Sequence, residues 1–183
     1  MFEGFEEFDV ACSGATIHGR RGGDGPPLLL LHGIPETHLM WHRVAPGLAS
    51  EFTVVATDLR GYGDSGKPAS ADDHSPYAMR QVAQDQVEVM QHLGHERFGV
   101  VGHDRGARCA YRMALDHPQT VTSLSVLDIV PTGDAFGRAD MEYRGAATLD
   151  LEHDEADRGG PTISAAARSS PGTSSPRKPP ARS

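Results

Sequence analysis

Apolar runs and helix-spaced apolar positions alternate along the chain. That order predicts an α/β fold, a doubly wound and mostly parallel sheet with helices on its faces. Residues 7–20 supply a short antiparallel hairpin around Ser13-Gly14, and the glycine-rich stretch from Arg20 to Pro27 is a turn. Leu28-Leu29-Leu30-Leu31 is a continuous apolar run ahead of His32-Gly33, as expected of a strand buried on both faces. Residues 38–49 read as a helix, with Met40, Val44 and Leu48 at a four-residue spacing. Phe52-Thr53-Val54-Val55-Ala56 is a second buried strand, rich in β-branched residues. Ser75-Pro76 predicts a helix start, with Ser as cap. Met79, Val82, Ala83, Met90 and Leu93 then share one face, and Gly94 closes the helix. Phe98-Gly99-Val100-Val101 is the next strand, followed by a helix from about Arg105 to Asp116. A further strand, Leu124-Ser125-Val126-Leu127, ends at Asp128.

The pattern weakens after Pro131. Tyr143 to Asp157 has helix-tolerant residues, whereas from Arg158 the chain is almost entirely Gly, Ser, Pro, Ala, Arg and Thr, with Ile163 as its one large aliphatic residue. Such a segment cannot bury enough apolar surface to offset the entropy of ordering, so disorder is expected over 158–183.

Composition adds exclusions. The 183 residues carry a net charge of −8, although the stretch from Arg158 holds five basic residues and no acid. An acidic body argues against nucleic acid as a partner. No apolar run reaches the roughly 18 residues that would suggest a membrane span. The acidic start, Met1-Phe-Glu-Gly-Phe-Glu-Glu, lacks the order of a signal peptide, so a cytoplasmic location is expected. Cys12 and Cys109 are far apart, with neither disulfide nor metal-ligand spacing, and are expected to be reduced packing residues.

The chemistry concentrates where strands end. Gly102-His103-Asp104-Arg105-Gly106 follows Val100-Val101 and precedes a helix. A nucleophile on a sharp strand-to-helix turn needs small residues on both sides, and Gly102 and Gly106 stand two positions either side of Asp104. The turn also places the Arg105 backbone N–H at a helix N-terminus, where negative charge is stabilised. His32-Gly33-Ile34-Pro35 follows the first long strand, and its Ile34 N–H is the candidate second donor of an oxyanion hole. A carboxylate nucleophile suits an sp³ carbon bearing a leaving group. It forms an ester that water must then hydrolyse with a general base, usually His. Asp128, at the end of the next strand, is the candidate orienting acid. Arg105 and Arg108, three residues apart, share one face of the first helical turn and could bind a small anionic carboxylate.

At these residues the sequence resembles the haloacetate (fluoroacetate) dehalogenases of the α/β-hydrolase superfamily. The resemblance runs over residues 5–132. It is carried by Gly25 through Pro35, Met40 through Pro46, Asp58 through Pro68, Gly102 through Arg108, Met113 through Pro118, and Leu127 through Thr132. It implies Asp104 as nucleophile, Asp128 as triad acid, and Arg105 with Arg108 as a clamp on the substrate carboxylate. It also implies hydrolysis of a haloacetate to glycolate and halide, with no metal and no organic cofactor.

The sequence departs from the family pattern after Thr132. Most of a helical cap is expected to be missing, leaving a remnant and return to the core over 133–157, so that 1–132 is the N-terminal portion of a truncated core. Tyr143 matches one member of the family's halide site, or is an ordinary packing Tyr. The resemblance stops after Pro161-Thr162, before the loop that carries the base. No base His is identified: His103 lies inside the elbow, His32 in the oxyanion loop and His153 in the cap return. An internal deletion with a frameshift is the expectation for this end, tested by reading the encoding DNA in its other frames. The expected outcome is a chain that forms its ester and does not turn over. Three other readings stay open: an epoxide hydrolase of the same superfamily, a non-catalytic fragment that retains the anion site, and a chain with no function that does not fold stably. A homodimer is compatible with the sequence.

Overall fold

The computed structural model describes residues 1–130. The expected cap remnant (133–157), the expected tail (158–183) and Tyr143 lie outside the described residues. Six strands form one sheet: β1 (Glu6–Ala11), β2 (Thr16–Gly22), β3 (Pro27–Leu31), β4 (Thr53–Thr57), β5 (Phe98–His103) and β6 (Val121–Leu127). Their order is β1-β2-β4-β3-β5-β6. β1, β2 and β4 pair antiparallel, as the expected hairpin and its extension. β4, β3, β5 and β6 are parallel neighbours.

The apolar run in β3 forms a strand covered on both faces. Leu29 and Leu31 pack into one cluster with Val55, Val100 and the buried faces of α2 (Met79–His92) and α3 (Arg105–Asp116). Leu28 and Leu30 pack into the opposite cluster with Phe2, Trp41, Val54 and Ala56. Alternate side chains of a strand point to opposite faces, so a run of leucines feeds both layers at once. Burying each leucine completely contributes about 2 kcal/mol.

Two helical expectations are corrected. Residues 38–49 do not form one helix. They form a 3₁₀ turn, His38–Arg43, and a four-residue helix, α1 (Ala45–Leu48). Pro46 has no N–H to continue the hydrogen-bond ladder of the preceding turn, so a new helix starts with Pro in its first turn, where the missing donor costs nothing. The buried positions are Trp41 and Ala45, while Val44 is exposed. Ser75 does not cap α2 either. Ser75–Tyr77 is a separate 3₁₀ turn, Ala78 is extended (ψ 142°), and α2 begins at Met79 without a side-chain cap. The rest of α2 follows the pattern: Met79, Val82, Ala83 and Met90 are buried, and Gly94 ends the segment at φ +87°. Helix α3 has the expected bounds.

The strand order creates the place for a site. From β3 the chain leaves toward the Trp41 layer, whereas β5 leads into α3 on the other face. Loops departing in opposite directions from adjacent parallel strands leave a crevice at the strands' carboxyl ends.

Candidate functional site

The elbow sits at that crevice. Asp104 follows β5 directly and has φ 46° and ψ −114°, a left-handed backbone uncommon for a residue with a side chain. The surrounding packing holds it there. The Asp104 N–H donates to the Leu127 carbonyl at the end of β6 (3.0 Å), and its own carbonyl accepts from the Ala107 and Arg108 N–H groups of α3. The two glycines are needed for space. A Cβ on Gly102 would lie 2.3 Å from the Gly106 carbonyl oxygen, and one on Gly106 would lie 2.4 Å from the Leu31 carbonyl oxygen. Strand, elbow and helix therefore approach more closely than any larger residue permits.

The loop after β3 closes on the elbow from the other side. The Ile34 N–H donates to Asp104 Oδ2 at 3.0 Å. Gly33 makes this approach possible, because a Cβ there would lie 2.8 Å from both the Asp104 Cβ and the His103 Nδ1. His32 fixes the loop from below. Its Nδ1–H donates to the Gly33 carbonyl (2.8 Å), while its Nε2 accepts from the Leu59 N–H (3.0 Å). Those two bonds require the neutral ring. Burial accordingly pushes the His32 pKa down, outweighing the nearby carboxylates.

A buried carboxylate, Asp58, steadies the same loop. Asp58 stands at the end of β4, and its Oδ1 accepts from both the His38 N–H (2.7 Å) and the His38 Nδ1 (2.8 Å). Its Oδ2 accepts from the Asp64 N–H (2.9 Å). Burial alone would raise the Asp58 pKa. The hydrogen bonds from His38 and Asp64 outweigh it and bring the carboxyl down to about 2. Further back, Arg60 holds Asp85 of α2 with two hydrogen bonds, Nε at 2.8 Å and the terminal nitrogen at 2.7 Å, both groups buried.

The remaining candidates are at the same edge. Arg105 and Arg108 occupy the first turn of α3 and are half-buried. The Arg105 N–H heads that helix and so has no intrahelical acceptor. Asp128 follows β6 at φ 59°, with its side chain 86 % exposed and Oδ2 3.8 Å from His103 Nε2. The other nitrogen of His103, Nδ1, lies 3.1 Å from Glu36 Oε2. Sequence reasoning placed His103 in the elbow but missed Glu36. The available signal was a carboxylate three residues after Gly33, immediately past the Gly-x-Pro turn. It also missed the Asp58–His38 and Arg60–Asp85 pairs, whose members are 20 and 25 residues apart. Cys12 and Cys109 are not joined in a disulfide. Burial, with Asp85 and Glu88 nearby, pushes the Cys12 thiol up to about 12, so it is unreactive. Among the described residues no group of acidic, His and Cys side chains could hold a metal, and no helix is long and apolar enough to cross a membrane.

A six-stranded, mostly parallel sheet with a strained carboxylate elbow facing an amide donor is the architecture of a hydrolase of the α/β type. The family model for the alpha/beta hydrolase fold matches residues 26–182, and the chain belongs to that family. It is 58 % identical over 140 residues to a fluoroacetate dehalogenase of Burkholderia sp, a match covering 76 % of this chain and 46 % of the relative. It is 42 % identical to a soluble epoxide hydrolase of Corynebacterium sp. (strain C12), over 68 % of this chain and 43 % of that relative. Among solved structures, an alpha/beta hydrolase from Nostoc sp PCC 7120 superposes with a TM-score of 0.78 at 56 % identity, covering 82 % of this chain and 52 % of that one. The chain thus spans about half the length of the relatives it matches.

Proposed function

We propose that the site carries the nucleophilic half of a haloacetate dehalogenase. A free oxygen of Asp104 attacks the carbon bearing the halogen of a small 2-haloacid. The carbon–halogen bond breaks, the halide leaves with its electron pair, and an ester forms on Asp104. Arg105 and Arg108 hold the substrate carboxylate, and Asp128 is the acid that orients the base of the second step. The observation that carries this reading is the Ile34 N–H on Asp104 Oδ2. It anchors one carboxylate oxygen and leaves the other to attack. After attack, Oδ2 becomes the ester carbonyl oxygen, already in the position where a tetrahedral intermediate needs a donor.

These 183 residues assign no histidine to the base. The reading for this polypeptide is therefore a single alkylation without sustained halide release. Incubation with chloroacetate, followed by intact-mass measurement, is expected to show gain of one carboxymethyl group. Chloroacetamide, which lacks the carboxylate, is expected to react at least about tenfold more slowly, since a charge-assisted bidentate contact contributes about 1.5–3 kcal/mol. Equal reaction with both reagents would remove the clamp from the reading. Faster reaction with a neutral epoxide than with chloroacetate would favour the epoxide hydrolase chemistry named for the Corynebacterium relative.

A further inference from the structure

We infer that Glu36 and His103 form a positioning pair that sets the gap between the oxyanion loop and the elbow, and so aims the Ile34 N–H at Asp104. The inference deepens the proposed function and rests on it for its kinetic part. The Gly33–Ile34 peptide is held first at its carbonyl end. The Gly33 oxygen accepts from His32 Nδ1 (2.8 Å) and from the Glu36 N–H (3.0 Å). In a trans peptide the N–H points opposite to the carbonyl, so two donors on the Gly33 oxygen turn the Ile34 N–H toward Asp104. Direction alone does not set distance. The Glu36 carboxylate supplies that constraint, because its Oε2 accepts from the Gly33 N–H (3.2 Å) and meets His103 Nδ1 (3.1 Å). His103 is the residue before Asp104 and the last residue of β5, whose pairing with β6 extends to it. One carboxylate therefore links the loop to the elbow, half-buried at 34 % exposure and beside the nucleophile. An ionised carboxylate only accepts, so His103 Nδ1 carries the proton in this contact. Asp128 Oδ2 lies 3.8 Å from His103 Nε2 on the far side of the ring, beyond hydrogen-bond distance.

Two readouts test the pair. The first is amide hydrogen exchange on the full chain. In Glu36→Ala the Ile34 amide is expected to exchange at least about tenfold faster, with the Leu29 and Val100 amides of the sheet unchanged. Unchanged Ile34 exchange overturns the inference, whether or not any haloacetate reacts. Should Glu36→Ala loosen the whole sheet, His103→Gln keeps the Glu36 bond to Gly33 and decides the point by the same Ile34 readout. The second readout is the alkylation rate as a function of chloroacetate concentration. Loss of aim is expected to lower the saturating rate roughly 10- to 100-fold, the scale of a displaced oxyanion donor. The half-saturating concentration should move less than about threefold, because Arg105 and Arg108 are untouched. Glu36→Gln, which keeps an acceptor oxygen for Gly33, is expected to recover most of the rate. A change confined to half-saturation would make Glu36 a substrate contact and overturn its positioning role. Absence of alkylation in the unaltered chain would sink the proposed function, leaving the exchange result to decide this one.

Discussion

At the scale of single residues, the site depends on what is missing from three positions. Gly33, Gly102 and Gly106 each lie where a Cβ would fall within 3 Å of another atom. Gly102 and Gly106 meet backbone, which cannot swing aside, whereas Gly33 meets the side chains of Asp104 and His103. Gly106→Ala is therefore expected to destabilise the fold by about 1–3 kcal/mol, the usual scale of overpacking, as read from the urea midpoint. Gly33→Ala should instead leave stability within about 1 kcal/mol and slow alkylation of Asp104 by roughly tenfold or more. An equal loss of stability in both variants would contradict this division. The glycines and Asp104 were legible in the sequence because spacing around a strand end is local information. Glu36 was not, since its partner His103 lies 67 residues away and only the sheet order brings the two together.

At the scale of elements, buried charge holds the loops that hold the site. Asp58 satisfies the start of the His38 turn and the Asp64 loop with one carboxylate. Asp58→Ala leaves buried donors without a partner and is expected to cost about 3–5 kcal/mol. The pH dependence follows in two stages. The His32 pKa is lowered in the folded state, so below its ordinary value of 6.5 the unfolded chain binds a proton that the folded chain refuses, and stability falls. The Asp58 carboxyl is also lowered. Its contribution is complete above the ordinary 3.8 and is lost as pH falls toward about 2. Urea midpoints measured across pH should show both declines, and His32→Gln should flatten the upper one alone. Element boundaries were legible where apolar period and glycine agreed, as for α2 beyond Met79 and for α3. They failed at 38–49 and at Ser75, where a proline reads equally as a helix start or a helix break. Val44 fits the apolar spacing, but Trp41 and Ala45 fill the layer under β3.

At the scale of the whole molecule, two apolar layers sandwich β3 and β4, and the crevice between β3 and β5 receives Asp104, Ile34, Glu36 and His103. The fold class was readable from alternation alone, because parallel strands buried on both faces leave uninterrupted apolar runs. The proposed reaction class rests on one residue, Asp104, since a carboxylate nucleophile at the elbow would direct attack to an sp³ carbon and not to an acyl group. Peptide mapping of the chain after exposure to chloroacetate tests that assignment most directly. One carboxymethyl group located on Asp104 is expected, formed with release of chloride and absent in Asp104→Asn. A label on Cys12, Cys109 or a histidine with Asp104 unmodified would contradict it.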